Sequence, residues 1–169
     1  MKHFVFYVLC MIFVGSASAQ PANFMIGELT FERPADWKWI DPQTGNEKAR
    51  LYIFDKELKQ KAIISFETGN PNAAPSFVDK WKEPYLSHEP APVISLETNT
   101  VSGRRLVTVN ISGTKFVNKQ PESNQTTYGA VIDIKGEQVG ARILGAKPLV
   151  EKLKPVFDHV IREALKADE

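Results

Sequence analysis

The sequence predicts an α+β fold, in which a central antiparallel β-sheet is flanked by helices and a long amphipathic helix comes last. Short runs of β-forming residues dominate the part of the chain before residue 145. These runs do not alternate regularly with helices, as the strands of a parallel sheet do. The C-terminal segment carries apolar side chains at helical spacing. Together these observations indicate helices packed on an antiparallel sheet.

Residues 1–19 are predicted to be a signal peptide. Lys2 gives a positive start, an apolar run extends from Phe4 to Val14, and Ala17-Ser18-Ala19 matches the small-x-small pattern before a cleavage site. The apolar run is about ten residues long, whereas a membrane-spanning helix needs roughly 20. This length argues against the alternative of an uncleaved N-terminal anchor. We therefore expect export to the periplasm or out of the cell, with Gln20 as the new N-terminus.

The chain after Ala19 is formally neutral and contains no cysteine. The full sequence has 21 Lys and Arg residues against 20 Asp and Glu residues, and Lys2 belongs to the leader. A neutral balance argues against nucleic acid as a partner. The single cysteine, Cys10, also lies in the leader, which excludes disulfides and thiolate chemistry from the mature chain. No later apolar run is long enough for membrane insertion after cleavage.

The mature chain is predicted to form one domain at residues 29–167, behind a flexible lead-in at residues 20–28. The N-terminal half of the domain alternates apolar β-forming runs with charged connections or with turns that contain Pro and Gly. This pattern predicts strands at Leu29–Phe31, Ala49–Phe54 and Ala62–Glu67.

A short helix is predicted after these strands. Ser76 is its N-cap, and Asp79 occupies the capping-box position three residues later. Pro84 predicts that the helix kinks or ends near Glu83. Aromatic residues recur every four positions and form the face that the helix buries: Phe77, Trp81 and Tyr85.

The C-terminal half is predicted to contain further strands and a long helix. The polar segment Val117–Thr127 is predicted to be the longest loop. The last turn is Lys135-Gly136 or Gly136-Glu137, and both alternatives give the same facing. Predicted strands are Val93–Leu96, Arg104–Lys115, Tyr128–Ile134 and Gln138–Leu144. An apolar stripe from Leu149 to Leu165 predicts the helix, and Pro155 predicts a kink or a break near Lys154.

We recognise no catalytic or metal-binding constellation in the sequence. The two histidines beyond the leader, His88 and His159, have no second ligand at helical or hairpin spacing. Ser112-Gly113-Thr114-Lys115 matches the Ser-x-x-Lys motif of penicillin-binding proteins, but it lies in a predicted strand and no Lys-Thr-Gly follows. We therefore expect no metal and no cofactor, and we favour a function other than catalysis.

The favoured hypothesis is an exported, non-enzymatic envelope protein that binds a protein partner through one face of the sheet and nearby loops. Candidate contact residues are Thr108, Asn110, Asp133, Gln138 and Arg142. The alternative is a small-molecule binder or hydrolase with an aromatic-lined pocket around Trp37 and Trp39. A purely structural role is a third hypothesis.

The order of motifs along the chain also resembles that of a known fold family. The motifs are Phe77-x-x-x-Trp81-x-x-x-Tyr85, Gly103, Val109-Asn110-Ile111-Ser112-Gly113-Thr114, Tyr128-Gly129-Ala130-Val131, Gly145 and Phe157. This order is similar to that of small exported bacterial proteins of unknown function with the PsbP-like fold, which a Ran-binding nuclear transport protein shares. The resemblance implies an antiparallel sheet flanked by helices, no catalytic residues, and a function in binding larger assemblies.

Overall fold

The computed structural model of the chain describes residues 21–86, 89–117 and 120–166. The predicted signal peptide and His88 lie outside these residues. The described strands are β1 (Asn23–Ile26), β2 (Leu29–Glu32), β3 (Lys38–Trp39), β4 (Glu47–Asp55), β5 (Gln60–Gly69), β6 (Val93–Val101), β7 (Arg104–Val117), β8 (Gln120–Ile134) and β9 (Glu137–Ala146). The described helices are α1 (Phe77–Lys82), which a 3₁₀ turn at Glu83–Tyr85 follows, and α2 (Lys147–Lys166).

Seven strands form one sheet in the order β3-β4-β5-β9-β8-β7-β6, and β1 and β2 form a separate hairpin. All neighbouring strands of the sheet are antiparallel. Helix α2 packs on the face that carries Ile64 and Ala141, which we call the α2 face. Helix α1 packs on the face that carries Val109 and Val131, which we call the α1 face. The predicted α+β fold with a long C-terminal helix is confirmed.

The main hydrophobic core lies between the α2 face and helix α2. The predicted apolar stripe of this helix is buried from Leu149 to Leu165. The β1–β2 hairpin closes the same core through aromatic rings, because Phe24 lies 5.5 Å from Phe31 and 5.0 Å from Phe66 between ring centroids. This packing leaves the α1 face as the less completely covered side of the sheet.

Part of the expected flexible lead-in is a strand. β1 pairs with β2 from Asn23 opposite Glu32 to Ile26 opposite Leu29, and Ile26 is buried. The segment Asn-Phe-Met-Ile has no apolar–polar alternation, so its sequence did not indicate a strand with one buried face. The folded domain therefore begins before Leu29.

Helix α2 continues through Pro155 without the break that the sequence predicted. Pro155 lies on the exposed side of the helix. A proline inside a helix leaves the carbonyl four residues earlier without its amide donor, and that carbonyl belongs here to the exposed Glu151. Because this side of the helix faces solvent, water can replace the missing donor. The apolar stripe on the opposite side keeps the helix on the sheet.

Helix α1 begins and ends where the sequence predicted. The Ser76 hydroxyl accepts a hydrogen bond from the Asp79 amide at 3.2 Å, and the Asp79 carboxylate accepts one from the Ser76 amide at 3.3 Å. The predicted capping box is therefore present. Pro84 lies in the 3₁₀ turn that follows the helix, and Tyr85 in that turn bonds Thr127 of β8 through its hydroxyl at 2.9 Å.

The predicted loop Val117–Thr127 is wrong, because most of it is paired strand. β7 runs to Val117 and β8 starts at Gln120, which pairs with Val117. The polar side chains on β8 here are exposed up to Asn124, so no apolar alternation marks the strand. A β-bulge between Gly113 and Lys115 offsets the register. The paired ends of β7 and β8 extend beyond β9, whose pairing with β8 ends at Gln125 opposite Ala146; we call them the β7–β8 arm.

The other strand predictions are confirmed as elements, although most strands are longer than predicted. β6 extends to Val101 rather than to Leu96. The β8–β9 turn is Lys135-Gly136, since Ile134 pairs with Glu137. Gly136 has a φ of 80°, a value that glycine adopts without steric cost.

Candidate functional site

The five polar residues predicted to contact a partner do not lie on one face. Thr108 and Asn110 share the α2 face with Leu106, because side chains alternate along β7. Asp133, Gln138 and Arg142 belong to the opposite, α1 face. The expectation of a single contact face through all five residues is therefore corrected. Because a long loop was predicted between β7 and β8, the sequence did not show how the two strands align or which of their residues share a face.

The three residues on the α1 face are also divided into two places. Gln138 donates a hydrogen bond to Asp133 at 2.7 Å, and Arg105 pairs with Asp133 at 3.5 Å. Arg142 lies further along β9, where it pairs with Glu67 of β5. Only Arg142 of the five lines the groove described below.

The two tryptophans of the alternative hypothesis do not line a shared pocket. Trp37 is fully buried in the main core. Trp39 is half-buried, and its ring packs edge-on against Phe24 at 5.1 Å. Trp37 therefore has no surface for a ligand, and the predicted aromatic pocket around this pair is not formed.

Two adjoining clefts on the α1 face form the candidate site. Their volumes are about 500 Å³ and about 370 Å³, and both are lined by Ile63, Lys115 and Leu144. We call the two clefts together the basic groove. The cations that line it are Arg50, Lys59, Lys61, Lys80, Lys115 and Arg142, and the carboxylates are Glu47, Glu67 and Glu122.

Strand register brings these charges together from distant parts of the sequence. Arg50 of β4 lies opposite Ser65 of β5, which lies opposite Arg142 of β9. On the next two strands of the sheet, Glu122 of β8 lies opposite Lys115 of β7. Side chains at these positions point to the same face of the sheet, because cross-strand partners share a face.

Arg142 is held in a fixed orientation in the smaller cleft. Its Nε donates a hydrogen bond to Ser65 Oγ at 3.1 Å, and its Nη2 lies 3.3 Å from Glu67 Oε1. The guanidinium carbon lies 5.8 Å from the centre of the Trp81 ring. Burial lowers the pKa of Arg142, and the Glu67 carboxylate opposes this shift. The side chain is thus a positioned, partly desolvated cation.

Lys115 lies where the two clefts meet. It is half-buried, and burial together with the nearby Arg142 charge lowers its pKa to about 8, against the opposing effect of Glu122. Within the described residues no carboxylate lies within 4 Å of its ammonium, although most of the other basic residues lining the smaller cleft have one. Lys115 is therefore a cation whose charge the protein leaves largely uncompensated.

Arg50 and Glu47 form a second internal pair at the rim of the smaller cleft. Arg50 Nη1 lies 3.5 Å from Glu47 Oε2, and the Glu47 carboxylate also accepts a hydrogen bond from the Gln43 amide at 2.5 Å. Since Arg142 pairs with Glu67, both carboxylates of this cleft are engaged. The excess positive charge of the cleft therefore comes from Lys80 and Lys115.

The larger cleft combines lysines with apolar surface. Lys59 and Lys61 are exposed at its end. Phe54, which is 51% exposed, lies there together with Tyr52. A surface with apolar rings between cations is suited to a ligand that carries both acidic and apolar groups.

Sequence reasoning missed most of the basic groove. Lys115 was considered only as part of the Ser-x-x-Lys motif, and the structure separates that pair. Ser112 lies on the α2 face, where it bonds Thr126 at 2.9 Å, whereas Lys115 lies on the α1 face after the bulge. The usable signal was the lysines at the start of β5, Lys59 and Lys61, and near the end of β7, Lys115, but combining them required the strand register.

The described residues contain no group of three or more His, Cys, Asp and Glu side chains that could hold a metal ion. His159 is exposed on helix α2, 3.9 Å from Glu163. Of the two helices in the described part of the chain, neither is long and apolar enough to cross a membrane.

Known structures share this architecture. The solution structure of cyanobacterial PsbP from Synechocystis sp. PCC 6803 matches with a TM-score of 0.50 and 12% identity, over 88% of this chain and 95% of that one. The chain has the PsbP-like fold. A protein of unknown function from Pseudomonas aeruginosa matches with a TM-score of 0.45 and 10% identity, over 83% of this chain and 92% of that one. No protein-family model matches the chain, and no curated protein matches it.

The match confirms the resemblance to the PsbP-like fold that the ordered motifs indicated. At 12% identity the likeness concerns the fold alone. The function of this PsbP-like chain must therefore be inferred from the residues on its own surface.

Proposed function

We propose that the protein is an exported, non-enzymatic binding protein whose basic groove binds an acidic segment of a protein partner. The observation that carries the proposal is the charge of the groove. Six cations line it against three carboxylates, whereas the whole chain has a formal net charge of only +1. Such a local excess attracts and orients an anionic partner without making the protein basic as a whole.

The shape of the groove supports a chain-like ligand. The two clefts adjoin at Ile63, Lys115 and Leu144. A groove that continues from one cleft into the other suits an extended peptide segment. The exposed ring of Phe54 at one end offers a contact for an apolar side chain of that segment.

The charge pairs of the groove also favour binding over catalysis. Its carboxylates Glu47 and Glu67 are engaged by arginines at 3.5 Å and 3.3 Å. A carboxylate that pairs with an arginine is less available as a general base for a substrate. Export rests on the predicted signal peptide at residues 1–19.

Peptide binding by the purified mature chain tests the proposal. The probe is a peptide that alternates Glu with Leu, and its counterpart with Lys in place of Glu is the control ligand. We expect the Glu peptide alone to bind, with an affinity that falls as salt rises. Lys61→Glu should weaken binding roughly three- to tenfold. The matched control Lys135→Glu, in the exposed β8–β9 turn outside the groove, should leave it unchanged.

Crosslinking in the living cell tests whether the ligand is a protein. A photoreactive residue at position 54 should crosslink to a protein, and one at position 135 should not. The yield of the crosslink should fall when Lys61→Glu is added. Equal binding of the Glu and Lys peptides, or a crosslink that charge reversal does not affect, would contradict the proposal.

A further inference from the structure

We infer that the junction of the two clefts is a binding site for one carboxylate group, held between Lys115 and Arg142. This inference deepens the proposed function, because the carboxylate would belong to the acidic segment of the partner. It depends on geometry at a single point of the groove, whereas the proposed function depends on the charge of the groove as a whole.

Lys115 is the first component of the site. The bulge after Gly113 sets its side chain at the meeting point of both clefts. It is half-buried, and among the described residues neither a hydrogen-bond acceptor nor an ion-pair partner contacts its ammonium. A half-buried cation without a partner is costly, and an anionic ligand that contacts it removes that cost.

Arg142 is the second component. It lines the smaller cleft beside Lys115, and the two charges repel each other. Ser65 and Glu67 engage its Nε and Nη2, and these contacts hold the guanidinium in place. Its Nη1 donates no hydrogen bond to a described residue, and a guanidinium can donate from each of its nitrogens. A carboxylate with one oxygen at each cation would therefore bridge two like charges.

The surrounding charges select a group with a single negative charge. The charged groups that line the two clefts with Lys115 are Arg142 on β9, Glu122 on β8, Glu47 and Arg50 on β4, Glu67 and Lys61 on β5, Lys59 between β4 and β5, and Lys80 on α1. Arg50 and Arg142 are compensated by Glu47 and Glu67. Glu47 and Glu67 repel a dianionic phosphate more strongly than a ligand carboxylate, which carries a single charge. We therefore assign the site to a carboxylate.

The pKa of Lys115 supports the same site and supplies its readout. Burial and the Arg142 charge lower this pKa to about 8. A carboxylate beside the ammonium favours the protonated form, so occupation should raise the pKa of Lys115. Binding of the carboxylate should consequently weaken as pH rises above 8, where free Lys115 loses its proton.

The experiment follows the Lys115 side chain of the full mature chain by NMR, with sodium acetate, inorganic phosphate and the Glu–Leu peptide as separate probes. Lys115→Met serves to assign the signal, and Lys61→Met is a matched variant from the same groove. We expect acetate and the peptide to raise the pKa of Lys115. Loss of a charged hydrogen bond predicts about tenfold weaker peptide binding for Lys115→Met. Lys61→Met should weaken binding less and keep its pH dependence.

The outcomes separate this inference from the proposed function. Peptide binding that Lys115→Met leaves intact would overturn the carboxylate site while the basic groove remains a peptide-binding surface. A rise in the Lys115 pKa with acetate, without any peptide binding, would support the carboxylate site and contradict the proposed function. Phosphate that binds Lys115 more tightly than acetate would overturn the assignment to a singly charged group.

Discussion

The indole of Trp81 lies directly over the backbone of Gly129, in space that a Cβ atom would occupy. A Cβ built on Gly129 would lie 2.9 Å from Trp81 Cη2 and 3.0 Å from the carbonyl oxygen of Ala141. Trp81 is almost fully buried at this position, and its ring also flanks Arg142 of the basic groove. Because Gly129 has no side chain, helix α1 can approach the sheet closely. This close approach also fixes the position of Trp81, which lines the basic groove.

Gly129→Ala should destabilise the protein, because the Trp81 ring must move away from an atom that cannot yield. Overpacking of this kind typically costs about 1–3 kcal/mol. Urea unfolding followed by circular dichroism measures the loss. Gly45→Ala is the matched control, since a Cβ there meets nothing within 4 Å. Equal stability of the two variants would show that Trp81 is not seated on Gly129.

Tyr85→Phe should lower the free energy of unfolding by about 1 kcal/mol. The substitution removes the 2.9 Å hydrogen bond between the Tyr85 hydroxyl and Thr127 Oγ1, and both residues are buried. Burial raises the pKa of Tyr85, which shows how far this hydroxyl is withdrawn from water. Tyr52→Phe is the control, because no described residue bonds the half-exposed Tyr52 hydroxyl. An unchanged midpoint of urea unfolding for Tyr85→Phe would contradict a stabilising hydrogen bond between Tyr85 and Thr127.

Lys115→Met should stabilise the protein at pH 7, and the gain should shrink as pH rises. The folded chain releases the Lys115 proton at about pH 8, whereas the unfolded chain keeps it to the ordinary lysine range. The unfolded state therefore binds more protons between these two pKa values, and the stability of the wild type rises with pH there. Melting temperatures of both proteins from pH 7 to pH 10 measure the difference. A difference in melting temperature that stays the same from pH 7 to pH 10 would contradict the lowered pKa of Lys115.

The mature protein should begin at Gln20 when it is expressed with its own leader in a bacterium that exports it. Ala17-Ser18-Ala19 provides the small residues that a signal peptidase requires before the cleavage site. Mass spectrometry of the protein from the periplasm or medium identifies the new terminus. Ala19→Arg should keep the leader attached, with Gln20→Ala as the control that is still processed. A wild-type protein that retains Met1 would contradict export by cleavage.

The elements with one buried face were predictable, and the polar strand segments exposed on both faces were not. Helix α2 and strand β9 show apolar periodicity because Phe157 and Ile143 are fully buried in the main core while their neighbours in the sequence are more exposed. In the β7–β8 arm, by contrast, Glu122 and Asn124 are exposed although they are in a strand. Polar residues without alternation look like a loop when only the sequence is known.

The basic groove could not be predicted because register, rather than spacing, assembles it. Arg50 and Arg142 are brought together through Ser65, and no local pattern marks that relation. The same lack of register information placed Thr108 on one face with Asp133, although the two point to opposite sides of the sheet. The sequence therefore indicated the fold and the polar strands, but not the surface that the fold makes from them.

The β7–β8 arm forms one wall of the basic groove, and it is joined to the rest of the sheet at one end only. Lys115, Val117 and Glu122 of the arm line the larger cleft, while the opposite wall belongs to strands fixed in the seven-stranded sheet. Two-stranded ribbons twist more than wide sheets, and the bulge near Gly113 is a natural bending point. A swing of the arm would change the width of the groove while every contact of the main core stays in place. The same groove would then accommodate peptide segments with side chains of different size.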